Sequence, residues 1–189
     1  MSRIIAGRLA SRRVGVPAGM STRPTTDRVR ESVFARLAAW LGVADSAPDE
    51  QLAGKTFLDL YAGSGAVGLE AVSRGAQAEW VEKDPVAVRV IRSNLATLGV
   101  VGQVWALDVA RFLAGSAHPY DIVWLDPPYA RPAPELGRVL AAVAQGWVAE
   151  DGIVVLERSG RGGVEFPESF LRVESRRYGD TIIDYAEKG

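Results

Sequence analysis

The chain has 189 residues, 48% of them apolar, a net charge of −1, a single histidine and no cysteine. That length suits one domain with a small appendage, and the apolar share is enough for a real core. The composition excludes disulfides and thiolate metal sites, argues against a His-based dyad or zinc site at His118, and offers no apolar run near the ~20 residues of a membrane span.

The charge is unevenly spread. Residues 1–40 hold eight arginines (Arg3, Arg8, Arg12, Arg13, Arg23, Arg28, Arg30, Arg36) against Asp27 and Glu31, a local +6 that leaves −7 on the rest. A basic arm on an acidic body suits a polyanionic partner, although a solvated arginine-rich face would look the same. The opening MSRIIAGRLASRR has no signal-peptide core, so a cytoplasmic location is expected.

In chain order, 3–7 and 13–16 are short apolar-basic runs able to pair as a hairpin across Ser11 and Arg12. Pro17, Gly19 and Pro24 punctuate a loop. Thr26 is placed to cap a helix over 27–41, with Val29, Val33, Phe34, Leu37 and Leu41 on its apolar face. Residues 42–54 read as a polar linker. The pattern therefore divides into a basic arm and helix, 1–50, and a main domain, 51–189.

From Thr56 the rhythm alternates. Strands are predicted over 56–60, 78–82, 104–107, 120–125 and 152–157, with helices over 66–74, 85–98, a short one after Asp108, and 134–144. Pro85 suits a first helical turn, with Asp84 as its cap. YDIVWL at 120–125 is nearly all apolar, as a central parallel strand should be. Strands at 172–178 and 181–186 meet at Gly179-Asp180, a tight hairpin. The fold expected is α/β: a doubly wound, Rossmann-like, mostly parallel sheet closed by an antiparallel hairpin, with a small N-terminal hairpin-plus-helix extension.

Ligands of such sheets bind beyond the carboxyl ends of the strands. After the first core strand comes GSGAVG at 63–68, whose Gly63, Gly65 and Gly68 allow a sharp turn and close backbone approach. That pattern alone also fits NAD or FAD. Asp59, at the strand's end, would repel a pyrophosphate and suits a ligand with positive charge, as S-adenosylmethionine has in its ammonium and sulfonium; a helix-capping role for Asp59 is the plain rival. Tyr61 joins the same cofactor set. Glu82, at the next strand end, is placed for ribose hydroxyls, and Asp108 for the adenine amino group or as a helix N-cap.

Asp126-Pro127-Pro128-Tyr129 follows the apolar strand at 120–125. Two prolines fix the main chain and remove two N–H donors. The Asp126 carboxylate and Pro127 carbonyl then converge as acceptors for an exocyclic amine, whose lone pair they turn toward a methyl donor, while Tyr129 stacks on the base. A rigid turn is the plain rival here. With one remote histidine and no cysteine, no strong general base is expected. Arg3, Arg12, Arg13, Arg23, Thr25, Arg28 and Arg30 are the candidate nucleic-acid contacts, through phosphates.

RIIAG at 3–7, RPTTDRVRESVF at 23–34, LDLYAGSGAVGLEAVSRGA at 58–76 and DIVWLDPPY at 121–129 together resemble the RsmD family of class I methyltransferases, from Arg3 to about Tyr185. RPTTDRVRE is the family-specific stretch; the others are shared more widely. The resemblance implies S-adenosylmethionine as donor and methylation of the N2 amine of a flipped guanine (guanine 966) in 16S ribosomal RNA, within a partly assembled small subunit; from the composition no metal is expected. The sequence departs from the pattern at 42–54 and 158–170. A DNA adenine-N6 or cytosine-N4 methyltransferase shares the two core motifs but needs a recognition region, and only 57 residues separate Gly68 from Asp126. A glutamine methylase fits poorly, because Asp rather than Asn opens the motif. A non-catalytic binding module is hard to reconcile with an intact DPPY.

Overall fold

In the computed structural model, residues 2–17, 26–128, 132–160 and 163–189 are described. Short runs of branched and aromatic residues, bounded by turn formers, build the sheet: β3 (Thr56–Leu60), β4 (Gln77–Val81), β5 (Val104–Trp105), β6 (Tyr120–Leu125), β7 (Val148–Ser159), β8 (Phe170–Tyr178) and β9 (Thr181–Lys188). Their order is β5-β4-β3-β6-β7-β9-β8. The first five run parallel, and β9 and β8 join antiparallel. The expected sheet, its closing hairpin and the turn at Gly179-Asp180 are all present.

Alternation along the strands sends one set of side chains to each face. Phe57, Ile122, Trp124, Ile153 and Val155 meet α1 (Asp27–Trp40), α2 (Ala66–Ser73) and α3 (Pro85–Leu98). Leu58, Leu60, Val123, Leu125, Val154 and Leu156 meet α4 (Val109–Leu113) and α5 (Ala133–Ala144). Three layers result. The strand order reverses between β3 and β6, so the crevice of a doubly wound sheet opens where the glycine loop and Asp126 stand.

Helix starts follow local chemistry. Thr26 accepts from the Val29 N–H at 3.3 Å, Asp84 from Val86 at 2.7 Å and Asp108 from Ala110 at 2.9 Å. Strand bounds shift by a few residues, with β4 at Gln77–Val81 rather than 78–82, β5 at Val104–Trp105 rather than 104–107 and β7 at Val148–Ser159 rather than 152–157, and two further expectations change in kind. The N-terminal hairpin pairs only β1 (Ser2–Arg3) with β2 (Arg13–Val14), in register Ser2↔Val14, so its connection is 4–12 rather than a tight turn at Ser11-Arg12. The wide connection buries Leu9 and brings Gly7 against the Ser73 carbonyl, where any Cβ would lie 1.9 Å from its oxygen. Residues 42–54 are also more than a linker. Leu52 is buried, and its N–H donates to the Arg74 carbonyl at 2.8 Å.

The extension lies directly on the sheet's first face. Ile4, Leu9, Val14, Val29, Val33, Phe34 and Leu37 share a core with Phe57, Trp80 and Ile91. Phe34 stacks on Phe57 with ring centres 6.2 Å apart. Among the described residues, no helix is long and apolar enough to cross a membrane.

Candidate active site

The chain turns hard after β3. Tyr61, Gly63 and Gly65 all have positive φ, at 61°, 56° and 76°. Gly65 is the N-cap of α2 and supplies no side-chain cap. The exposed N-terminal N–H groups of α2 need acceptors, and Asp59 provides one: its Oδ2 accepts from the Gly68 N–H at 2.9 Å. Burial raises the Asp59 pKa well above the usual carboxylate range, the Gly68 bond opposes that, and Glu82 adds to it. Asp59 thus stands at the predicted place and also braces the helix.

The three glycines divide the labour differently from the expectation that all of them admit a ligand. A Cβ on Gly68 would lie 2.4 Å from Trp80 Nε1 and 3.1 Å from Asp59 Oδ2. Gly68 is therefore a packing glycine, which lets α2 sit against β4, and it is corrected from ligand approach to that role. Trp80 also donates from Nε1 to the Gly65 carbonyl at 3.2 Å, pinning the loop from below. Gly63 presents its N–H to Glu82 Oε2 at 2.8 Å.

Glu82 bridges two loops, since its Oε1 also accepts from the Asp84 N–H at 2.8 Å. Asp108 caps α4 and lies 3.9 Å from Lys83 Nζ. Glu82 and Asp108 stand at the ends of neighbouring strands β4 and β5, as a cofactor reaching across both would require. His118 is a surface residue against Tyr120 and Trp147, ring centres 4.6 and 5.8 Å away, at the other end of the sheet.

At the end of β6, the Asp126 N–H reaches the Leu60 carbonyl at 3.4 Å, which ties the DPP segment to the start of the glycine loop. Pro127 is buried and Pro128 exposed; Tyr129 lies outside the described residues. Burial raises the Asp126 pKa well above the usual range, and the charges of Glu157 and Asp59 raise it further. Glu157, buried near the end of β7, is the site residue that sequence reasoning missed. The signal was available: counting by twos from Ile153 puts it on the face of Val155, at a strand end. Asp126 thus lies within reach of the charges of both Asp59 and Glu157 in a poorly hydrated place, an arrangement that suits a cationic ligand. The residues therefore fit S-adenosylmethionine, whose sulfonium and ammonium would relieve the repulsion on Asp126. Among the described residues no group of His, Cys, Asp and Glu could hold a metal ion.

The predicted arm contacts separate into two kinds. Arg3, Arg12, Arg13 and Arg28 are exposed or half-exposed, and Arg8 is exposed. Arg23 and Thr25 lie outside the described residues. Arg30 is corrected: it is 2% exposed, with its guanidinium donating to the Arg3 carbonyl at 2.6 Å, Asp27 at 2.9 Å and Ser2 Oγ at 3.2 Å. It holds the arm together and is not offered to a phosphate. Its partner across the core is Glu70, which accepts from Ile5 N–H at 2.7 Å, Ala6 N–H at 3.1 Å and Arg74 Nε at 3.0 Å. No local signal marks Glu70, because its arm partners lie some 65 residues away.

Comparison with known proteins agrees with this geometry. The family model described as "Conserved hypothetical protein 95" matches residues 2–187. The chain is 37% identical to "Ribosomal RNA small subunit methyltransferase D" of Escherichia coli K12, over 86% of this chain and 77% of that one. The protein of the same name from Haemophilus influenzae is 28% identical over 97% and 91%. The structure of a hypothetical protein of Thermus thermophilus superposes with a TM-score of 0.81 at 33% identity, covering 99% of both chains. With that match across nearly its whole length, a doubly wound sheet and an acidic crevice at the switch point, the chain belongs to the RsmD family of class I, S-adenosylmethionine-dependent methyltransferases.

Proposed function

We propose that this protein transfers a methyl group from S-adenosylmethionine to the exocyclic N2 amine of a guanine in 16S ribosomal RNA, guanine 966 by family resemblance, on a partly assembled small subunit in the cytoplasm. The observation that carries the reading is the junction of β3 and β6. There Asp126, followed by two prolines, is tied to Leu60 beside the glycine loop and is buried within reach of the charges of Glu157 and Asp59. The relatives named as rRNA small-subunit methyltransferases support the substrate class.

The site's own groups do the positioning. Asp59, Gly63, Glu82 and Asp108 hold the cofactor along the ends of β3, β4 and β5. When bound, S-adenosylmethionine supplies an electrophilic methyl carbon on a sulfonium, which leaves as neutral S-adenosylhomocysteine. Asp126 and the Pro127 carbonyl accept the two N–H bonds of a base amine and localise its lone pair toward that carbon. The nitrogen–carbon bond forms as the sulfur–carbon bond breaks, and the proton then lost from nitrogen passes to Asp126 or to water. Burial and neighbouring charge make Asp126 a better proton acceptor than an ordinary carboxylate. That compensates in part for the lack of a histidine or cysteine base. Catalysis is otherwise orientation and acceptor hydrogen bonds. Tyr129, by its place after the prolines, is assigned to stacking on the base. A base buried in a stack must leave it to reach Asp126, and the arm's exposed arginines hold the neighbouring phosphates.

Single-turnover methylation of small-subunit RNA from a strain lacking the enzyme tests this, with mass mapping of the modified nucleoside. Asp126→Ala, assayed at saturating cofactor, should slow transfer by on the order of a hundredfold or more. A variant near wild-type rate would make Asp126 a turn former only. A methyl group found elsewhere than guanine N2 would retire the substrate assignment.

A further inference from the structure

Asn94, on α3, is buried in a place the reaction scheme leaves unused. Its amide pairs with Gly15 of the arm in both directions: Oδ1 accepts from the Gly15 N–H at 2.9 Å, and Nδ2 donates to the Gly15 carbonyl at 3.0 Å. Its remaining amide hydrogen is directed to the carbonyl of Ser64 at 3.1 Å, between the two left-handed glycines of the cofactor loop. One planar group thus touches the arm and the loop. The contact is close, since a Cβ on Gly15 would stand 3.0 Å from Asn94 Oδ1. Gly15 follows β2 directly, one residue after the buried Val14 and two after the exposed Arg13.

We infer that Asn94 is a positioning residue that couples occupancy of the arm by RNA to ordering of the cofactor loop. The inference rests on the proposed reading that the arm holds RNA and the loop holds the cofactor. The physics is that of a shared restraint. An amide has fixed geometry, so a shift of Gly15 either drags Asn94 or breaks its bonds, and the Ser64 carbonyl then loses its donor. RNA held at Arg12 and Arg13 restrains Gly15, and therefore the peptide between Gly63 and Gly65. A loop already ordered costs less to order again on cofactor binding, so each ligand tightens the other by the same factor. The contacts of Glu70 and Ser73 with residues 5–9 fix the arm on α2, downstream of the loop, but none of them reaches a loop carbonyl.

The test is S-adenosylhomocysteine affinity of the whole protein by calorimetry, with and without a saturating fragment of small-subunit RNA. The ratio of the two constants is the readout, because a merely structural role would weaken both equally. The wild type should bind about fivefold or more tightly with RNA present. Asn94→Asp keeps the acceptor for Gly15 but replaces the amide donor by an oxygen facing two carbonyls, and should bring the ratio close to one. A wild-type ratio of one, or a ratio retained in Asn94→Asp, overturns the coupling. Hydrogen exchange on the wild type serves if that variant does not fold: RNA alone should slow exchange at the N–H groups of Gly65 and Gly68, and unchanged exchange overturns the inference. RNA binding followed directly by anisotropy separates the failures, since a wild type that does not bind RNA removes the proposed function itself.

Discussion

At the scale of single residues, neighbours in space decide what a residue type is for. Gly63, Gly65 and Gly68 look alike in the sequence, yet only the first two need a left-handed backbone, while Gly68 is required by the wall of Trp80. Trp80 is fully buried and cannot swing aside. Gly68→Ala should therefore act as overpacking, costing about 1–3 kcal/mol of stability. It should also weaken S-adenosylmethionine binding by displacing the start of α2. Urea unfolding beside calorimetry checks this; wild-type stability in the variant would mean that α2 sits further from β4 than the contact distance indicates. Asp59 shows the same lesson, since its carboxylate serves the Gly68 N–H as well as the crevice.

At the scale of elements, α1 presents two arginines two positions apart with opposite fates. Arg28 reaches water, and Arg30 is enclosed by Asp27, the Arg3 carbonyl and Glu70, whose carboxylate is 3.9 Å away. Arg28→Glu should weaken RNA binding across sequences and lower the salt slope by about one, leaving the melting temperature unchanged. Arg30→Glu buries a carboxylate beside Glu70 and should cost about 3–5 kcal/mol, the loss expected when one partner of a buried pair is removed. Salt-dependent anisotropy and thermal melting distinguish the two. Equal effects of both substitutions on RNA and on stability would contradict the division of α1 into a wet and a buried side.

At the scale of the whole molecule, the acidic crevice links stability, cofactor and pH. Asp59 and Asp126 have raised pKa values in the folded chain, chiefly through burial. Below the ordinary carboxylate value of about 4, both are protonated folded or unfolded. As pH rises beyond it, the unfolded chain releases protons first, so stability of the ligand-free protein falls until the raised values are passed. Asp126→Asn should be close to wild type in melting temperature at pH ~4 and more stable than wild type at pH ~8, while losing transfer activity. S-adenosylmethionine carries the cationic charge that the ionised carboxylates want, so its affinity should rise over the same interval, and more steeply than that of S-adenosylhomocysteine, which lacks the sulfonium. Melting curves and calorimetry across pH measure both trends; a flat affinity profile would remove the electrostatic account of the crevice.

What the sequence determined by itself was the set of features with short-range causes. Alternation and helical spacing placed Thr56–Leu60, Pro85–Leu98 and Tyr120–Leu125 to the residue, because apolar period and capping chemistry are local. The order of acids at strand ends followed from the doubly wound rule, which carries Asp59, Glu82, Asp108 and Asp126 to one edge. The tertiary structure alone decided which charges are buried and which groups bridge distant segments. Arg30 and Arg28 differ only in the side of α1 they occupy once it is docked. Glu70 and Asn94 acquire their partners across 65 and 79 residues of chain. Such contacts depend on how helices pack on a sheet, and packing is a property of the assembled core that no stretch of sequence contains.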